Sequence, residues 1–212
     1  MTNEAISRGV VSTHAFYGEP GKAADYVAKT KDLVVNLDPF LSKLPSGVPP
    51  SSLRILDAGC GSGRDTKAFM DRGYRVEAFD ASAALVEKAR ELTKALVIRC
   101  LFQDFFVTSP RYDGIWAQAS LLHVPRAALP DVIFHLADSL VFGGLLWATF
   151  KYGAEPTIDN RGRFFTNMTE DSAKALFRGC PLLGRVECEV ESGSSSGGEP
   201  TSWVTVYGFK NH

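Results

Sequence analysis

Hydrophobic and polar positions divide this chain into an irregular head, an alternating middle and a two-strand tail. Residues 1–20 show no apolar periodicity and read as a flexible segment or a lid. From Ala23 to Leu44 the pattern turns helical. Tyr26, Val27, Leu33, Val34, Leu37, Phe40, Leu41 and Leu44 recur at helical spacing. Asp38-Pro39 interrupts them, with Asp as the expected N-cap and Pro at the first helical position. The expectation is two consecutive helices packed on a sheet. SGVPPSS at 46–52 then reads as a linker.

From Leu53 strands and helices alternate. The strand at 53–57 leads to a helix at 64–72, closed by Gly73. A second strand runs from Tyr74 to Phe79 and ends at Asp80. Ser82 then caps a helix with Leu85, Val86, Ala89 and Leu92 on its apolar face. Leu96–Leu101 and Asp113–Ala119 read as strands three and four. Pro125 opens a helix with apolar positions Ala128, Leu129, Val132, Ile133, Leu136 and Leu140. Gly143-Gly144 ends it before a fifth strand, Leu145–Phe150. Thr169–Phe177 reads as a helix. Arg185–Glu191 and Ser202–Phe209 read as strands flanking a flexible tip, SGSSSGGEP. The fold class is α/β: a doubly wound, mostly parallel seven-stranded sheet with helices on both faces and a C-terminal antiparallel hairpin.

Composition narrows the class. A length of 212 residues fits one domain, with 1–50 as a helical extension or lid and 51–212 as the core. Hydrophobic content of 45% and charged content of 22% are those of a globular protein. A net charge of −1 argues against a broad nucleic-acid footprint. Cys60, Cys100, Cys180 and Cys188 lack CxxC spacing, which points to no metal site, no disulfide framework and a reducing cytoplasm. The N-terminus lacks the apolar core of a signal peptide. No apolar run reaches the roughly 20 residues of a membrane span.

Candidate chemistry concentrates in LRILDAGCGSG, 53–63. A strand ends in Asp57, glycines follow at 59, 61 and 63, and a helix begins. Glycines permit close backbone approach, and the helix end offers free N–H groups. A dinucleotide site needs G-x-G-x-x-G, and Arg64 stands where its third glycine would be. A P-loop pattern is absent.

The motif D-x-G-x-G-x-G resembles the first motif of class I S-adenosylmethionine (SAM) dependent methyltransferases. The resemblance covers about residues 20–210. DAGCGSGRD, FDAS, LLHVPR and GRFFT make the chain similar to small bacterial enzymes of the tellurite-resistance and tRNA-wobble-uridine type. The resemblance implies SAM as cofactor and S-adenosylhomocysteine (SAH) as product. It implies Asp57 near the cationic methionine end, over a turn of Gly59, Cys60 and Gly61. Asp80, with Ala81 and Ser82, would accept both ribose hydroxyls. Asp104, beside Gln103, would accept from the adenine amino group, with Phe105 on the ring. Gln118, Ala119 and Ser120 would flank the methyl donor. Tyr26 would fold over the cofactor, and Lys29 would reach its carboxylate.

The acceptor is less legible. Methyl transfer needs alignment and dryness, and a base only if the acceptor must lose a proton. His123 is the candidate base, the simpler reading being a brace for the following helix. Tyr17, Arg161, Arg163 and Phe164 are candidate acceptor contacts. Arginines and phenylalanines after the fifth strand would suit an anionic, aromatic or carboxylate-bearing molecule. The alternative pairs those arginines with Glu155 or Asp159. ASLL replaces the D/N-P-P-Y/F of amino-methylating nucleic-acid enzymes. A small-molecule O, N or S acceptor is expected, with a modified tRNA nucleoside or a non-catalytic SAM-binding module as alternatives. No membrane partner is expected, and the chain would be a monomer or homodimer.

Overall fold

In the computed structural model, which describes residues 1–195 and 198–211, sixteen regular elements follow one another. They are α1 (Asn3–Gly18), α2 (Pro20–Thr30), α3 (Asp38–Leu41), β1 (Arg54–Ala58), α4 (Arg64–Asp71), β2 (Arg75–Asp80), α5 (Ala83–Thr93) and β3 (Leu96–Arg99). Then come β4 (Tyr112–Ala117), α6 (Leu129–Ser139), β5 (Leu140–Lys151), β6 (Thr157–Ile158), β7 (Phe164–Phe165), α7 (Glu170–Arg178), β8 (Leu183–Ser194) and β9 (Pro200–Lys210). Seven strands form one sheet in the order β3-β2-β1-β4-β5-β9-β8. The first five are parallel, while β9 runs antiparallel to both of its neighbours, β5 and β8. The order reverses between β1 and β4, where open α/β sheets leave a crevice at their carboxyl ends. β6 and β7 form a separate hairpin.

Both faces of the sheet are covered. Leu56, Ile115, Leu146, Phe150, Val204 and Val206 join α6 and α7 in one core. Ile55, Trp116, Trp147 and Tyr207 point the other way, against Phe40 and Phe69. Every central strand is therefore apolar on two faces. The same holds for β9. Val204 and Val206 face one layer, while Trp203, Thr205 and Tyr207 face the other.

Local signals hold at several ends. Ser82 Oγ accepts from the Leu85 N–H at 3.2 Å, opening α5. Thr169 and Ser172 form a capping box on α7. Other expectations are corrected. Residues 3–18 are helical, held by Gly9, Thr13 and Phe16 at i, i+4, i+7 spacing. That stripe is buried but only one member is strongly apolar, so periodicity missed it. Ala23–Leu44 does not make two full helices. α2 stops at Thr30, residues 31–37 are irregular, and α3 is a single turn. Val34 is 97% exposed. Asp38 lies inside α3, and Leu37 caps it. Leu92 is exposed on α5.

Pro125 precedes a 3-10 turn, Arg126–Ala128, and α6 starts only at Leu129. That helix ends at Ser139, not at the glycine pair. Leu140 already pairs with Tyr112, and the register then shifts so that Gly114 meets Leu145. Gly143, at φ 74°, lies in the resulting bulge. The hairpin strands are longer than expected, taking 192–194 and 200 from the tip. Residues 196 and 197 lie outside the described residues.

Candidate active site

The site grows from the β1–α4 turn. Gly59 and Cys60 both donate to the Phe79 carbonyl at 2.9 Å, which ties the turn to β2. Gly59 has φ 77°, and a Cβ there would lie 2.5 Å from Ser120 Cβ. Its side-chain position is filled by the end of β4, not by a ligand. At Gly63 a Cβ would meet Ala89 at 3.0 Å, so this glycine sets the packing of α4 on α5.

The turn faces a cavity of about 690 Å³. Asp57, Gly59, Cys60, Gly61, Asp80, Ala81, Ser82, Gln103, Asp104, Gln118, Ala119, Ser120, Tyr17, Tyr26 and His123 all line it. Asp80 accepts the Gly61 N–H at 2.9 Å and the Ser82 N–H at 2.8 Å, one on each oxygen. These bonds fix the carboxylate and leave each oxygen a lone pair. Asp57 is 3% exposed and accepts from the Thr66 hydroxyl at 2.6 Å. Burial, then the nearby Asp65, pushes its carboxyl far above the usual carboxylate range. Among the described residues it has no cation within ion-pair distance. Asp65 has one: Arg64 binds it bidentately at 2.7 and 3.2 Å, and Trp116 donates to it at 3.0 Å.

A second chamber of about 480 Å³ adjoins the first. Tyr17, Tyr26, Thr30, Arg64, Gln118, Ala119 and His123 line both. Ala119 sits in this shared wall at φ 49°, where a non-glycine residue is strained. Its N–H donates to Thr149 Oγ1 at 2.8 Å. His123 pairs through Nδ1 with the Phe164 carbonyl at 2.7 Å. A carbonyl only accepts, so Nδ1 carries the proton and Nε2 carries the lone pair. Nε2 lies 3.4 Å from the Tyr17 hydroxyl. Burial lowers the imidazole pKa to about 4, so it is neutral at pH 7.

α1 covers this junction. Ser82 Oγ donates to the Tyr17 carbonyl at 2.6 Å, and the Phe164 N–H donates to Thr13 Oγ1 at 2.7 Å. Arg163 donates to the Tyr17 hydroxyl and pairs with Asp159 at 2.7 Å.

Several expected contacts fall elsewhere. Lys29 is exposed on α2 and lines neither space. Phe105 is buried, stacked on Phe79 at 4.7 Å, and Phe102 takes the cavity position instead. Arg161 is exposed, and Phe164 turns its side chain toward Gly9. Phe165, its neighbour, lines the second chamber with Arg163. His123 braces β7, not the helix that follows it. Sequence reading missed Phe102, Arg64, Asp65 and the residues of β5 and β9 that floor the chamber.

Comparison with known proteins gives this geometry a context. Residues 55–144 match the family model described as methyltransferase domain. The malonyl-[acyl-carrier protein] O-methyltransferase of Enterobacter lignolyticus is 27% identical over 172 residues, 75% of this chain and 66% of that protein. The ubiquinone biosynthesis O-methyltransferase of Xylella fastidiosa is 35% identical over 109 residues, 48% of this chain and 43% of its own. The chain thus spans between two fifths and two thirds of these relatives. The crystal structure of Burkholderia thailandensis 1,6-didemethyltoxoflavin-N1-methyltransferase, with SAH bound, superposes with a TM-score of 0.65 at 18% identity. It covers 99% of this chain and 89% of that one. No described helix is long and apolar enough to cross a membrane. The match over residues 55–144 is thus to a methyltransferase domain, and the chain as a whole shares the fold of the solved methyltransferase superposed on it.

Proposed function

We propose that this protein transfers a methyl group from SAM to an O, N or S atom of a small molecule. One observation carries the reading: the glycine-turn cavity and the second chamber share a wall containing Ala119 and His123. Such a wall is where a donor in one space meets an acceptor in the other.

The first cavity suits SAM by its donor set. Asp57 is a buried acid with no cation within ion-pair distance among the described residues, and SAM brings an ammonium and a sulfonium. Asp80 offers fixed acceptor oxygens to a diol, and Asp104 and Gln103 also line the cavity. Its volume is ordinary for a cofactor site. When bound, SAM supplies an electrophilic methyl group. The chain supplies orientation, exclusion of water by α1, and a proton acceptor in His123 Nε2. The relative named for O-methyl transfer in ubiquinone biosynthesis supports a small acceptor.

The test is transfer of labelled methyl from SAM across a panel of hydroxylated acids, amines, thiols and bulk tRNA. Label on a small molecule is the expected result. Label on tRNA alone, or on nothing, would overturn it.

A further inference from the structure

The floor of the second chamber is built from two strands in register. Trp147 pairs with Tyr207, Thr149 with Thr205 and Lys151 with Trp203. Alternation puts all six on one face of the sheet, and all six line the chamber. On the opposite face the same strands carry Phe150, Val204 and Val206 into the core. A core needs no lysine or threonine on that upper face. Aromatic rings flank it: Phe165 lines a wall, and Trp147 and Tyr207 lie stacked at 5.7 Å.

Three cations line the space, and two are occupied. Arg64 holds Asp65 and Arg163 holds Asp159, each at 2.7 Å. Lys151 has no acid within ion-pair distance among the described residues. Its ammonium rests 3.7 Å from the centroid of the Phe165 ring. Partial burial, then Arg163, lowers its pKa, while Asp159 raises it from beyond ion-pair distance, so a direct counter-charge is missing. An anion placed there would supply it. One free ammonium suits a carboxylate better than a phosphate, whose two charges call for an arginine fork.

On the methyltransferase reading above, we propose that this chamber takes a planar aromatic acid. Its ring lies over the Thr149–Thr205 pair, beside Trp203 and Phe165. Its carboxylate sits on Lys151, which selects acids over neutral rings. Its methyl-accepting substituent faces the shared wall at His123 and Ala119. Flat rings match the aromatic side chains of Trp203 and Phe165, and the charge match is a single charge-assisted hydrogen bond.

The test is calorimetric titration of the SAH-saturated full chain with salicylate, salicylamide and cyclohexanecarboxylate. Salicylate should bind roughly tenfold or more tightly than its neutral amide. It should also bind more tightly than the non-planar acid. Lys151→Met should abolish the preference for acid over amide, and Lys151→Arg should keep it. Both variants should bind SAH as the parent does, since Lys151 lines only the second chamber. Equal binding of acid and amide, a preference that survives Lys151→Met, or no binding of any probe to the SAH complex would overturn the inference. Failure of the parent to bind SAH would instead overturn the methyltransferase reading.

Discussion

Arg163 donates a hydrogen bond of 3.0 Å to the hydroxyl of Tyr17, joining the loop beside β7 to the C-terminal end of α1. This bond ties α1 to the wall of the second chamber. Tyr17→Phe removes this bond but keeps the ring packed on Phe16 and Tyr26. Hydrogen bonds to charged groups contribute about 1.5–3 kcal/mol when buried, and this one is part-buried, so a loss of about 1–2 kcal/mol is expected. Hydrogen exchange should accelerate in residues 3–18 first. Unchanged protection of α1 would refute the link.

Asp57 makes a prediction of opposite sign for stability and binding. Its folded-state pKa is raised, so its contribution to stability is present below the ordinary carboxylate range. That contribution is lost as pH rises through the folded value. At pH 8 the free protein holds a costly buried charge. Asp57→Asn should then raise the denaturant midpoint of the free chain at pH 8, with the gain vanishing near pH 4. The same variant should bind SAM more weakly, because the cation loses its counter-charge. A variant less stable at pH 8, or one that binds SAM as before, would contradict this.

His123 titrates the other way. Its folded pKa of about 4 lies below the ordinary 6.5, so its contribution is full above 6.5 and lost as pH falls toward 4. The ceiling is about 3 kcal/mol, from 1.36 kcal/mol per unit. His123→Asn keeps a donor for the Phe164 carbonyl and cannot titrate. Urea unfolding of parent and variant should diverge between pH 6.5 and 4, the parent losing more. At saturating SAM the variant should also lose roughly a hundredfold in transfer rate. Parallel stability curves, or an unaffected rate, would remove His123 from its assigned role.

Gly59→Ala places a Cβ 2.5 Å from Ser120 Cβ at a φ of 77°. The left-handed backbone alone costs about 1–2 kcal/mol for a side chain, and the clash adds to it. Chemical denaturation should show a larger loss than Gly73→Ala, where φ is 88° but the nearest atom is 3.8 Å away. Ser120→Gly in the same chain should recover part of the difference. Equal losses at the two glycines would show that the clash relaxes freely.

The alternating middle of the chain was legible because β1 to α6 bury apolar faces of regular period, and their ends carry Ser82, Gly73 and Asp80 as punctuation. The cavity walls at Asp57, Asp80 and Gln118–Ser120 followed from their places at strand ends. What escaped did so for physical reasons. α1 buries Gly9 and Thr13, residues without a hydrophobic signature, against Ile158 and Phe164 far along the chain. Phe102 and Phe105 differ by one helical turn of a short 3-10 segment, and only packing decides which faces the cavity. The chamber floor needed the register of β5 on β9, which no local pattern encodes. A signal was present nonetheless: Trp147, Thr149 and Lys151 recur at every second position of an otherwise apolar strand.

The central claim is that the glycine-turn cavity holds SAM, and calorimetry of the free chain with SAH and with NAD tests it most directly. The account predicts saturable, one-to-one SAH binding, strongly weakened by Asp80→Ala, and no heat from NAD. Binding of NAD without SAH, or SAH affinity indifferent to Asp80→Ala, would contradict it.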